Sequence, residues 1–167
     1  MANGLPTIRN KKDATHLRLG SANGYAALMW LLSGLFALRV LGQALQRWLP
    51  QTFLPDFHDF QGSNLPYWLL LSAQLAILAL MAVFARRVQI RKLHPNRRTG
   101  QVLACAGGVY MAGSLVRIII GLTLPVAPAW FEAWISAIFH LVLAGFVITL
   151  ATYHLRLSQG LFPETRK

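Results

Sequence analysis

Acidic residues are scarce in this chain. Five Asp and Glu stand against sixteen Lys and Arg, a formal net charge of +11 over 167 residues. Charged residues of both signs make up 13% of the chain, about half the share in a soluble domain. That argues against an ordinary soluble globule, and the high apolar content argues against a disordered tail. The single cysteine, Cys105, excludes an intramolecular disulfide, a CxxC redox motif and a Cys-rich zinc site. No nucleophile–base pair, phosphate-cradling glycine loop, HExxH motif or carboxylate dyad is evident, which disfavours a hydrolase. Nothing in the sequence compels catalysis, and no metal site is expected. Nucleic acid is a poor match for the basic excess, because no recognition module accompanies it.

What is present is apolar. Hydrophobic residues are 55% of the chain and mean hydropathy is +0.47. Four continuous apolar runs fall at 24–45, 66–88, 101–122 and 128–153. Each suffices to cross a hydrocarbon core of about 30 Å as a helix rising 1.5 Å per residue. The runs do not alternate, so membrane strands fit poorly. The expected fold is an all-α integral membrane protein, a single four-transmembrane-helix bundle over 1–167. A polar, basic segment (1–23) precedes it and a short basic tail (154–167) follows. The first run is too long for the apolar core of a signal peptide, and an uncleaved first span is the better reading.

Basic residues set the expected orientation. Arg9, Lys11, Lys12 and Arg18 precede the first span. Arg86, Arg87, Arg91, Lys92, Arg97 and Arg98 lie between the second and third, and Arg156, Arg166 and Lys167 follow at the end. With four spans these segments share one side, opposite Arg47. Both termini are therefore expected to be cytoplasmic, in a bacterial inner (plasma) membrane. The dense basic loop is expected to meet anionic lipid headgroups. Trp30, Trp48, Trp68, Trp130 and Trp134 are expected mostly at helix ends on the outer side. The outer loop, 46–65, spaces Phe53, Phe57 and Phe60 as a short interfacial helix or an aromatic-packed loop would, and it also holds Asp56, His58 and Asp59.

Ionisable residues inside a span cost about 2.5–3.5 kcal/mol each on insertion scales, and they usually turn into the bundle. Four occur here: Arg39, Arg117, Glu132 and His140. Helical spacing adds polar neighbours on the same faces. Gln43 follows Arg39, Tyr67 shares a face with Gln74, Tyr110 and Ser114 precede Arg117, and Ser136 links Glu132 to His140. The expected ligand-binding set is Arg39, Gln43, Gln74, Tyr110, Ser114, Arg117, Glu132, Ser136 and His140, in a polar pocket in the outer half of the bundle. The competing reading is structural, with Glu132 neutralising an arginine and the arginines reaching to headgroups. Two arginines to one glutamate leave positive charge over, suited to a lipid phosphate, a carboxylate or a quinone carbonyl.

His140 reads first as a hydrogen-bonded interior histidine, then as a proton-transfer group, then as a haem ligand. It lies fourteen residues before His154 on one helix, the H-x13-H spacing by which four-helix membrane b-type cytochromes hold stacked haems. The chain resembles that class in helix number, size and this spacing. It departs in having no matching histidine pair on another helix; His16, His58 and His94 lie in flanking segments. Ala104, Gly108 and Ala112 recur every fourth residue, which predicts a close helix contact and a central third helix or an oligomer seam. On that basis Gly108→Leu should weaken the fold, and Cys105 reads as a small packing residue.

Two function classes follow. One is a non-catalytic accessory or lipid-binding subunit. The other is a small redox or quinone-interacting protein, with haem b or quinone as its cofactor. Expected partners are the bilayer, its anionic lipids, and a membrane-protein partner or a homo-oligomer.

Overall fold

The computed structural model describes residues 8–49, 66–123 and 134–158. These form four helices: α1 (Ile8–Trp48), α2 (Tyr67–Gln89), α3 (Arg97–Thr123) and α4 (Trp134–Ser158). All four contain a stretch long and apolar enough to cross a membrane, and the described residues are otherwise turns and links. The chain is thus an all-helical protein with the character of a multi-pass membrane protein. The exposed faces are themselves apolar, with Leu38 and Leu41 on α1, Leu75 and Leu80 on α2, and Val102, Val109 and Val116 on α3. Such faces are tolerated where the solvent is hydrocarbon.

The helix boundaries have local causes. α1 is 41 residues long, roughly 60 Å at 1.5 Å per residue. Its backbone is helical from Ile8, so much of the basic leading segment continues the first helix. Once a helix has nucleated, extending it costs little, and no proline occurs between Pro6 and Pro50. Pro66 sits at the N-cap of α2, where its missing N–H is no loss; its carbonyl accepts from the Leu69 and Leu70 amides. α2 ends in paired backbone bonds, Lys92 N–H to Arg87 O (3.0 Å) and Arg91 N–H to Val88 O (3.1 Å). This closing turn needs a left-handed residue. That residue is Arg91, at φ 55°, where glycine is the usual choice. Asn96 caps α3, its Oδ1 accepting from the Arg98 and Thr99 amides at 2.9 and 3.4 Å.

In space the helices run in the order α2–α1–α4–α3, with α1 packing on α2 and α4, and α4 on α3. Among the described residues α2 and α3, joined by the 90–96 link, share no extended interface. The apolar core lies between α1, α2 and α4: Met29, Phe36 and Val40 meet Met81, Ala85 and Val88 on one side and Phe146, Leu150 and Tyr153 on the other. Cross-contacts fix the antiparallel register. Trp30 Nε1 donates to Gln89 Oε1 (3.0 Å) near one end of the α1–α2 pair, and Gln74 Nε2 donates to Gln43 Oε1 (2.9 Å) towards the other. Tyr25 meets Tyr153 edge-on at 5.9 Å between α1 and α4.

The α3–α4 contact is the closest approach, and its small residues differ from those expected. A Cβ added to Gly100 would lie 2.9 Å from Leu155 Cγ and 3.1 Å from His154 Cβ. One added to Gly107 would lie 2.9 Å from Ile148 Cγ1. The contact face is therefore Gly100, Gly107 and Ser114, seven residues apart. Gly108 and Gly113 would meet nothing within 4 Å, and Cys105 is exposed. The central third helix and a packing role for Cys105 within the bundle are corrected: α3 is peripheral and meets α4 through a face one residue away, which leaves the Ala104–Gly108–Ala112 stripe open for the oligomer seam, the other expectation for it. Small residues crowd the stretch from Ala104 to Ser114, so spacing by fours selected among near-equivalent faces. Trp30 is also corrected. Its bond to Gln89 places it at the end holding Arg86 and Arg87, opposite Trp48 and Trp68. The Trp130 position, the Trp134 side chain, the Phe-rich loop and Glu132 lie outside the described residues.

Candidate functional site

α1 sends its polar side chains to both of its neighbours, and the expected set divides between them. Towards α2 it presents Gln43, which is 0% exposed, against Gln74, 4% exposed. One bond joins them, leaving Gln43 Nε2 and Gln74 Oε1 buried without a hydrogen-bond partner. Near the end of this interface Tyr67 meets Trp48 edge-on at 5.9 Å.

Towards α4, Arg39 is only 6% exposed. Its guanidinium carbon lies 5.4 Å from the centre of the Phe139 ring, a stacking geometry worth about 0.5–2 kcal/mol. Arg117 enters from α3 and is equally buried. Both arginines lie within electrostatic range of the Tyr110 hydroxyl and of the His140 ring. Tyr110 itself, 37% exposed, meets His140 at 5.8 Å between centroids. Ser114 Oγ donates to the Tyr110 carbonyl (2.9 Å), which satisfies the hydroxyl within its own helix as is usual in lipid. The Ser136 carbonyl accepts from His140 Nδ1. The proton is thereby fixed on Nδ1, and the Nε2 lone pair of the neutral ring remains available.

Arg39, Arg117, Tyr110 and His140 thus gather from three helices around one locus, with Ser114 and Ser136 in supporting roles. Gln43 and Gln74 form a second locus across α1, and the ninth expected residue, Glu132, lies outside the described residues. The first locus offers two planar guanidinium forks and a phenol, donors that suit an oxyanion; the imidazole beside them presents only an acceptor, Nε2. Among the described residues no group of three or more His, Cys, Asp or Glu converges as a metal site.

His154 belongs to neither locus. It is buried at the opposite end of α4, where its Nδ1 accepts from the Asn96 backbone N–H at 3.1 Å. In a neutral ring this places the proton on Nε2, the nitrogen that would otherwise bind a haem iron. The residues as placed therefore do not fit a haem pair on His140 and His154. His154 instead fastens the start of α3 to the end of α4. The sequence reading missed this bond, the Trp30–Gln89 pair and Phe139. Asn96, just after Pro95 and a few residues ahead of the third apolar run, was a capping signal; the other two had none.

Comparison with protein-family models, with curated proteins and with solved structures finds no match in any of the three.

Proposed function

We propose that this chain is a non-catalytic, multi-pass accessory protein of a bacterial inner membrane that holds an anionic lipid headgroup at Arg39, Arg117 and Tyr110, beside His140. The observation that carries this is the convergence of two buried guanidiniums on one phenol and one imidazole. The spans hold no carboxylate except Glu132 at the start of the fourth, so the cluster stays net positive even when Glu132 is counted in. A phosphate accepting bidentate bonds from arginine suits that excess. The arginines lie in the half of the bundle that bears Trp48 and Trp68, within reach of that leaflet's headgroups. Both termini are assigned to the cytoplasm by the basic residues at the opposite end, where contact with anionic lipids contributes about 1 kcal/mol per residue.

The test is native mass spectrometry of protein extracted in mild detergent. A retained anionic phospholipid is expected, lost in Arg117→Ala while that variant keeps its thermal midpoint. Wild type released without bound lipid would refute the reading. Orientation is checked in a Cys105→Ala background. Cysteine at His94 should react with impermeant reagent only from the cytoplasmic side, and cysteine at Ser63 only from the other.

The His140 geometry favours one alternative, a small redox or quinone-interacting protein. With Nδ1 held by the Ser136 carbonyl, Nε2 can accept a proton or a hydrogen bond from a hydroquinone hydroxyl. A dithionite-reduced minus oxidised absorption spectrum and quinone extraction from the purified protein distinguish it from the first reading.

A further inference from the structure

We propose that Gln43 and Gln74 enclose one neutral hydroxyl group, held between α1 and α2. The pair makes a single bond, Gln74 Nε2 to Gln43 Oε1 at 2.9 Å. That leaves the amide nitrogen of Gln43 as a donor and the amide oxygen of Gln74 as an acceptor. Both are buried and both lack a hydrogen-bond partner. Both side chains are more than nine-tenths buried. An amide group desolvated there without a partner costs at least 1–3 kcal/mol. In hydrocarbon no bulk water relieves it.

The two orphans are complementary. A group that accepts from Gln43 Nε2 and donates to Gln74 Oε1 closes a ring of three hydrogen bonds with the existing amide–amide bond. An O–H, acceptor and donor on one atom, does both and stays neutral. An anion would face the Gln74 oxygen and a cation the Gln43 N–H, so the pair selects against charge. This distinguishes it from the arginine locus between α1, α3 and α4, and the proposal does not depend on that locus. The hydroxyl has two sources, a trapped water molecule or the O–H of a membrane-soluble molecule such as a hydroquinone.

The test is nuclear magnetic resonance of wild-type protein, ¹⁵N-labelled at glutamine, in phosphatidylcholine nanodiscs. The side-chain signals are assigned by their loss in Gln43→Leu and Gln74→Leu. If water is the occupant, the Gln43 amide protons give a cross-peak to water, and this cross-peak disappears in Gln74→Leu. If the occupant comes from the membrane, no water cross-peak is seen, and titration with tetramethylhydroquinone shifts both amides saturably. Amide protons that contact only protein and acyl chains, and do not respond to the hydroquinone, overturn the proposal.

Discussion

Gly107 and Gly108 are adjacent in sequence, yet adding one methyl group to each should have opposite consequences. At Gly107 the new Cβ would lie 2.9 Å from Ile148 Cγ1, 3.1 Å from Val147 Cγ1 and 3.4 Å from the Ile148 backbone nitrogen. Carbon atoms pack at about 3.5–4.0 Å, so α3 and α4 would have to separate by about 0.6 Å. Both obstructing side chains are β-branched and held to one main rotamer in a helix, so they cannot swing aside. Overpacking of this kind costs about 1–3 kcal/mol. At Gly108 nothing lies within 4 Å. Both substitutions gain the same helix propensity, about 1 kcal/mol, which cancels when they are compared. Gly107→Ala should therefore be about 1–3 kcal/mol less stable than Gly108→Ala. In thermal unfolding in mild detergent this separates the midpoints by about 2–4 °C per kcal/mol for a chain of this size. Equal midpoints, or a lower one for Gly108→Ala, would refute the assigned face of α3.

Three further outcomes are expected. Arg91 holds a left-handed conformation that costs an ordinary residue about 1–2 kcal/mol; Arg91→Gly should exceed Arg91→Ala in stability by about that amount, the two having lost the same charge. Gln43→Leu and Gln74→Leu should each destabilise by about 1–3 kcal/mol, and the double variant by less than their sum, because it strands no buried polar atom; a double-mutant cycle on reversible unfolding in mixed micelles reads this. Asn96→Ala should cost about 1 kcal/mol through the lost helix cap, and His154→Phe about 0.5–1.5 kcal/mol through the lost acceptor, each as a lowered thermal midpoint.

The four helices were legible because each apolar run is unbroken and of spanning length. The α1 extension was not. Residues 8–22 carry no apolar period, and a helix propagating from a stable neighbour needs none. The burial of Arg39, Gln43, Gln74 and Arg117 followed from the cost of polar groups in lipid, which acts on each helix separately. The division of those residues between the two neighbours of α1 did not follow. Arg39 and Gln43 are one turn apart and share a stripe, yet the guanidinium lies against Phe139 while the amide meets Gln74. The two side chains leave one stripe and lean to different neighbours, which no spacing encodes. The small residues of α3 misled for a related reason: Gly107 and Gly108 are indistinguishable until the position of α4 is known.

The α2–α1–α4–α3 order also bears on biosynthesis. α1 leaves the ribosome well before α4, which it takes as a principal partner. Until α4 is made, the part of α1 that packs on Phe146 and Leu150 lacks that cover. Gln43 can meet Gln74 as soon as α2 is made. The surroundings of Arg39 arrive much later, Tyr110 with α3 and Phe139 with α4. Assembly is thus a joining of two hairpins, and a chain cut between Leu93 and His94 would still contain both. Co-expressed as 1–93 and 94–167, the halves should find each other through the α1–α4 surface, with the Asn96–His154 bond retained within the second.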